Sequence, residues 1–349
     1  MAALVALTCD TAAARDLGIG LAAPLSGDAA LLGQQVLDGA RAAVASRADT
    51  VRLEIADSRC DAEGGAAAAR HFVQRAVPVA VGFLCTEAIE AALPILTEAG
   101  IPVVTPGVRT NALTDGRART GWQVFRLAPR ADDEEKAVAR ILTERWREAL
   151  FAIVDDGTIY GRELAESLRA EAELAGLEPV FVDTYRPQLD NQIGLVGRLR
   201  RAGATHVFVG GDRSDIALIA RDAAELDYAL TIAGGEALRA PGGEVPLADG
   251  VLMVGLPDWP DIAAPDSLAA FEALGTEPDG YAVPAFAAVE VAAAAAHAAA
   301  EGERPPAEVL AARRFESALG PLRFGADGEL QRPLYGLYRY RDGRFVEVE

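Results

Sequence analysis

Arg109 is well placed in this sequence to grip an anion. It lies two positions beyond Gly107 in the loop "TPGVRT", and its guanidinium matches a carboxylate as a two-pronged fork. The alternative is a solvated loop arginine. Thr86, in "LCTEA", stands where a helix N-cap belongs, so its hydroxyl and the N–H groups after it either hold an anion or simply cap the helix. Glu236 and Asp212 end strand patterns in "AGGEA" and "GGDRSD", where a carboxylate accepts an ammonium group or forms a turn. Tyr160 and Tyr281 carry rings that either cover a small solute or join a core. Taken together, these residue types suit a zwitterion.

Constellations for catalysis are missing. The sequence has no G-x-S-x-G, no Walker phosphate loop and no metal-ligand spacing among its 3 histidines. Gly18-Ile19-Gly20-Leu21-Ala22-Ala23 fails the dinucleotide fingerprint, because Pro24 and a loop follow where a helix should begin. No catalytic residue, metal or cofactor is therefore expected, and His71, His206 and His297 read as packing residues. Asp+Glu 52 against Lys+Arg 33 leaves a formal charge of -19, which argues against nucleic acid, since neutralising phosphates takes clustered cations. No run of about eighteen uncharged apolar residues occurs, so a water-soluble monomer without direct membrane insertion is expected.

The elements that must position these residues repeat. "LGIGLAAPLSGDAALLGQQVLDGARAAVA" from Leu17 and "ALFAIVDDGTIYGRELAESLRAEAELAG" from Ala149 each read as strand, polar loop and amphipathic helix, with Gly33 and Gly161 near corresponding helix starts. "VRLEIADSRCDAEGGAAAARHFVQR" pairs in the same way with "PVFVDTYRPQLDNQIGLVGRLRRAG". "VPVAVGFLCTEAIEAALPILTEAGIPVVTP" pairs with "ATHVFVGGDRSDIALIARDAAELDYALTIAGG". The alternation predicts an α/β fold with parallel sheets covered on both faces, and 349 residues predict two domains. Ligands of such sheets bind beyond the carboxyl ends of the strands, where "LCTEA", "TPGVRT", "DDGTIYG", "GGDRSD" and "AGGEA" fall. Near the C-terminus the period changes to two, with "GADGEL" and "RDGR" as hairpin turns.

Cys60 and Cys85 each follow a strand pattern. If those strands are neighbours, the pair forms a disulfide worth roughly 3 kcal/mol; otherwise they are two buried thiols. Residues 1–16 read as the tail of a secretory signal lacking its basic start, which points to export and an oxidising compartment. Cys9 is a poor fit for a lipid-attachment cysteine.

From Leu17 to the C-terminus the chain resembles the leucine/isoleucine/valine-binding class of periplasmic solute-binding proteins. The likeness rests on the order and spacing of "PLSGDAALLGQQVLDGA", "GFLCTEA", "AGIPVVTPGVRT", "IVDDGTIYGRELAESL", "VFVGG", "AGGEA" and "LGPLRFGADGEL". The resemblance implies two Rossmann-like lobes, 17–128 with 257–331 and 129–256 with 332–349, joined by a three-strand hinge near "LAPRAD", "GLPDWP" and "QRPLYG". It further implies a Cys60–Cys85 disulfide and a periplasmic location. A carboxylate grip is implied at Cys85 to Glu87 and Gly107 to Arg109, and an ammonium acceptor at Glu236 beside Tyr160. Hinge closure on a small-molecule ligand would then present the protein to the membrane permease of an ABC importer.

Several positions depart from the family pattern. Glu87 replaces a small hydroxyl residue, Arg109 a threonine, Asp212 a tyrosine and Leu32 another aromatic residue. A Glu87–Arg109 pair is expected, because a carboxylate beside the ligand's own would otherwise repel it. The ligand is expected to be an amino acid with a polar or cationic side chain directed at Asp212, or else a plain branched-chain amino acid. The same fold serves as the sensing domain of receptors and repressors, and an α/β enzyme is the third alternative.

Overall fold

The computed structural model describes residues 17–47, 51–302 and 304–348. The signal-like stretch and Cys9 lie outside the described residues. In chain order the elements begin with β1 (Leu17–Ala23), α1 (Ala30–Ala45), β2 (Val51–Asp57), α2 (Ala62–Gln74), β3 (Ala80–Gly82), α3 (Thr86–Glu98), β4 (Val103–Thr105), α4 (Ala112–Asp115), α5 (Arg117–Thr120) and β5 (Val124–Arg126). There follow α6 (Asp133–Arg145), β6 (Phe151–Asp155), α7 (Ile159–Leu174), β7 (Phe181–Thr184), α8 (Ile193–Ala202), β8 (His206–Gly210), α9 (Arg213–Glu225), β9 (Thr231–Gly234), a 3-10 turn (Glu236–Arg239) and β10 (Leu252–Gly255). The chain closes with α10 (Trp259–Ile262), α11 (Pro265–Leu274), α12 (Ala282–Ala300), α13 (Pro306–Ala312), β11 (Arg314–Phe315), β12 (Leu322–Arg323), β13 (Gly336–Arg341) and β14 (Arg344–Glu347).

These elements form two compact units: Met1–Pro129 with Trp259–Arg332, and Arg130–Asp258 with Pro333–Glu349. The chain therefore passes between them three times. The unit 1 sheet has the order β2-β1-β3-β4-β5 and is parallel throughout. Unit 2 repeats that order as β7-β6-β8-β9-β10, again parallel. The internal repeat is thus a repeat of doubly wound topology, with a switch point beside β1 in one unit and beside β6 in the other. At the edge of the unit 2 sheet β13 and β14 add an antiparallel ribbon, the hairpin that the period-two pattern around "RDGR" predicts. The reason is local. Asp342 and Gly343 take φ of 51° and 86°, a two-residue turn that joins only antiparallel strands.

Strands such as β6 and β8 carry buried apolar runs, Phe151 to Val154 and Val207 to Val209, because helices cover both sheet faces. Both switch points are packed to the limit. A Cβ on Gly33 would lie 1.8 Å from the Pro24 carbonyl oxygen, and one on Gly161 would lie 2.4 Å from that of Gly210. Only glycine lets these two helices start so close to the sheet.

Among the described residues α12 is the one helix long and apolar enough to cross a membrane. It is a core element of unit 1, packing Val283, Phe286 and Val289 against residues of α1 and β1 such as Val36 and Ile19. Glu290 interrupts its alanines and accepts from the Ala318 N–H at 2.6 Å. Burial pushes this carboxyl up to about 7, outweighing that hydrogen bond and the charge of Arg47.

The sign of the linkage follows. Between an unfolded value of 4.5 and the folded value of about 7, the folded chain keeps a proton that the unfolded chain has released. Glu290's contribution is then fully present below about pH 4.5 and lost as pH rises through 7. Glu290→Gln should accordingly gain on the wild type with rising pH, by on the order of 2 kcal/mol at about pH 8. Denaturant titrations at about pH 5 and pH 8 check this, and a pH-independent difference would contradict it.

Candidate functional site

In unit 1, the candidate residues gather at the carboxyl edge of the sheet. Cys60 and Cys85 are joined by a disulfide, with Cα atoms 5.2 Å apart. They are brought together because β2 and β3 flank β1. The backbone here is held in an unusual conformation: Arg59, Cys60 and Phe83 have φ of 50°, 60° and 58°. Such non-glycine residues persist only where the surroundings over-determine them, and they cluster at functional sites.

The disulfide anchors the start of α3, and here one expectation is corrected. The N-cap is Cys85, in an extended conformation, and Thr86 is the first helical residue with no capping hydrogen bond from the side chain before it. Thr86 and Glu87 are both exposed. The free N–H groups of this first turn and the positive end of a 13-residue helix face outward from the sheet edge.

The loop after β4 is built from below. Thr105 donates its hydroxyl proton to the Phe83 carbonyl at 3.1 Å and accepts from the N–H groups of Gly107 and Val108 at 3.4 and 3.3 Å. Gly107 leaves room for the Tyr281 ring, whose Cε1 would be 2.9 Å from a Cβ added there. Tyr281 is in turn held by its N–H to Gln35 Oε1 at 3.2 Å. Arg109 is half-buried between Val108 and Thr110. The expected Glu87–Arg109 pair does not form: Glu87 makes no ion pair among the described residues. Its place on the exposed outer turn of α3 explains why.

The loop that carries Arg109 is clamped by a group that sequence reasoning missed. Arg126, fully buried in β5, donates to the Val108 and Thr110 carbonyls at 3.2 and 2.7 Å, bracketing Arg109. Its remaining N–H groups reach Thr114 Oγ1 at 2.8 Å, Glu329 Oε2 at 3.0 Å and Glu329 Oε1. Thr114 also donates to Glu329 Oε1 at 2.5 Å. The backbone carries the pair as well, with the Arg126 N–H donating to the Gly328 carbonyl at 2.9 Å.

In unit 2, Glu236 opens the 3-10 turn after β9. Its Oε2 accepts from the Tyr335 hydroxyl at 3.1 Å, and its Oε1 lies 4.0 Å from Arg239 Nε. Its backbone is pinned as well: the buried Glu134 accepts from the Glu236 N–H at 2.8 Å and from the Tyr160 hydroxyl at 2.6 Å, both at Oε1. Tyr160 Oη in turn accepts from the Ala237 N–H at 3.3 Å. Burial, and then Glu134, push the Tyr160 phenol far above its ordinary range, so it remains a proton donor.

Tyr160 and Glu236 are thus brought together, but through Glu134. Gly235 permits this, since a Cβ there would lie 2.5 Å from Tyr160 Oη and 2.6 Å from Glu134 Oε1. Glu134 and Tyr335 carry no sequence signal of their own. They lie 102 and 99 positions from Glu236.

Asp212 belongs to a different grouping. It is the N-cap of α9, accepting from the Asp215 N–H at 3.0 Å, so its side chain has a local structural task. Around it stand Asp156, Asp215 and Tyr185, whose phenol is raised by burial and then by these acids. Among the histidines, the His206 ring packs at a tilt against Trp146 with centroids 5.5 Å apart and has its pKa lowered by burial, while His71 lies 3.7 Å from Glu54.

Residues 16–344 match the model of the periplasmic binding protein family. The chain is 29% identical over 355 residues to Leu/Ile/Val-binding protein homolog 3 of Brucella melitensis, covering 97% of this chain and 95% of that protein. To Leu/Ile/Val-binding protein homolog 2 of Brucella abortus it is 27% identical, covering 94% and 91%. A putative branched-chain amino acid ABC transporter protein from Rhodospirillum rubrum shares the fold with a TM-score of 0.77 at 21% identity, over 95% of this chain and 99% of that one. A substrate-binding protein from Desulfitobacterium hafniense, solved with Leu, superposes with a TM-score of 0.66 at 23% identity, over 95% and 99%. A solute-binding protein from R. palustris, solved with 4-hydroxybenzoate, does so with a TM-score of 0.64 at 16% identity, over 95% and 95%.

Proposed function

The chain belongs to the periplasmic binding protein family, and from that membership we propose that it is the extracytoplasmic solute-binding component of an ABC importer, taking an amino acid rather than a simple carboxylic acid. The observation that carries this reading is the pinned carboxylate of Glu236. Tyr335 holds its side chain and Glu134 its backbone, so it is an oriented anion at the carboxyl edge of the unit 2 sheet. An oriented carboxylate matches an ammonium group, which an aromatic acid lacks.

The opposite chemistry stands at the carboxyl edge of unit 1. There the first turn of α3 and the loop of Arg109 match the ligand's carboxylate, with Cys85, Thr86, Glu87 and Gly107 supplying the backbone and Tyr281 the cover. In this reading the ligand engages both units, and the ligated form is the one the permease recognises. Asp212 is exposed and near Asp156, so the ligand's side chain is polar or cationic if it reaches that edge. The protein acts in the periplasm and turns nothing over.

Thermal-shift measurements with the common L-amino acids, their amides and 4-hydroxybenzoate test this. At about a hundred times its Kd, a true ligand stabilises by about 2.7 kcal/mol. At least one free amino acid should raise the melting temperature, and its amide and 4-hydroxybenzoate should not. Stabilisation by 4-hydroxybenzoate alone would place the protein with the aromatic-acid binders instead.

A further inference from the structure

We propose that unit 1 carries a second binding site, for a small phosphate-type oxyanion, built by Arg314, Arg323 and Arg332 around a cavity of about 430 Å³. Arg314 and Arg323 stand directly opposite each other in the antiparallel pair of β11 and β12. Like charges so placed repel across a strand pair, and an anion between them reverses the sign of that interaction. The segment of Arg332 is tied to the same strand, because the Gln331 N–H donates to the Arg323 carbonyl at 2.9 Å.

Arg332 is the informative member. Its Nε is buried and makes no hydrogen bond among the described residues. Burial pulls its pKa down, and no carboxylate counters the shift. A half-buried guanidinium with an unused donor is costly unless a ligand completes it. Among the described residues the one ion pair at the patch is Arg314 with Glu316, at 3.7 Å with the two side chains 68% and 79% exposed, which screens little of the charge.

The remaining lining favours an ion over an extended partner. Ala312, Pro321 and Leu322 form apolar walls, which strengthen charge interactions inside a concavity, and Gln331 adds an amide. The chain as a whole has the opposite bias, with a net charge of -19 that repels long polyanions more strongly than a single small oxyanion. Guanidinium forks match phosphate oxygens bidentately. Free phosphate and a phospholipid headgroup share that chemistry. None of the residues proposed to take the amino acid lines this cavity.

The test compares the wild type with Arg323→Gln/Arg332→Gln, and with Arg323→Gln alone in case the double variant folds poorly. Inorganic phosphate, titrated against chloride at constant ionic strength, should raise the wild-type melting temperature by about 2 °C or more and lose at least about tenfold in affinity in the variants. Vesicles of phosphatidylglycerol and of phosphatidylcholine form the second arm. Sedimentation of the wild type, but not the variants, with phosphatidylglycerol would assign the same site to a lipid headgroup. An equal phosphate shift in the double variant would reflect exclusion of the salt from the surface and overturn the site. So would the absence of any response to both probes.

Discussion

Glu329→Ala is expected to destabilise unit 1 by about 3–5 kcal/mol, because it leaves the Arg126 guanidinium buried without its carboxylate. Arg126 has no solvent exposure, and two of its five side-chain hydrogen bonds go to Glu329. Glu329 itself is 15% exposed, and water entering in its place is a weaker partner for the guanidinium than a carboxylate. Denaturant unfolding would measure the effect, and a loss under about 1 kcal/mol would show that Thr114 and the two carbonyls suffice to hold the charge. Hydrogen exchange adds a local readout. The amides of Gly107 and Val108 should exchange faster in Glu329→Gln, since the same guanidinium holds the Val108 and Thr110 carbonyls around Arg109.

Glu236→Gln should weaken amino-acid binding by about 100-fold or more, because a ligand ammonium desolvated against a neutral amide loses its compensating charge. Glutamine keeps an acceptor for the Tyr335 hydroxyl and leaves the Glu236 N–H bonded to Glu134, so the unliganded protein should melt as the wild type does. Tyr335→Phe should cost less, about tenfold, by releasing the carboxylate from its orientation. Calorimetric titration with the amino acid that best stabilises the wild type would check both. Unchanged affinity in Glu236→Gln would remove the ammonium acceptor from the proposed function.

Much of this architecture is legible along the chain. The duplicated alternation of strand and helix announces two α/β units, because buried parallel strands and amphipathic helices leave different periodicities. The glycines at 33 and 161 mark the two switch points, where the helix start and the strand end touch. The loops holding Arg109, Tyr160 and Glu236 follow from the rule that function collects at the carboxyl ends of strands. The helix cap lies one residue before the Thr86 that the pattern predicts, a distinction that depends on backbone angles at Cys85. Charge alone predicts the Glu87–Arg109 pair, whereas the structure leaves Glu87 exposed on the first turn of α3 without an ion pair among the described residues.

What the amino-acid order by itself determined is therefore the set of elements, their duplication and the loops that carry charge, since burial and local periodicity write these into neighbouring residues. Which groups hold those charges in place was decided only by the tertiary structure. Glu329 reaches Arg126 across 203 positions, and Tyr335 reaches Glu236 across 99. A lone Glu or Tyr in a sequence carries no mark of its partner. Its role is assigned when the chain returns to each unit after leaving it, and sets a buried donor against a half-buried acceptor that no local pattern could have paired.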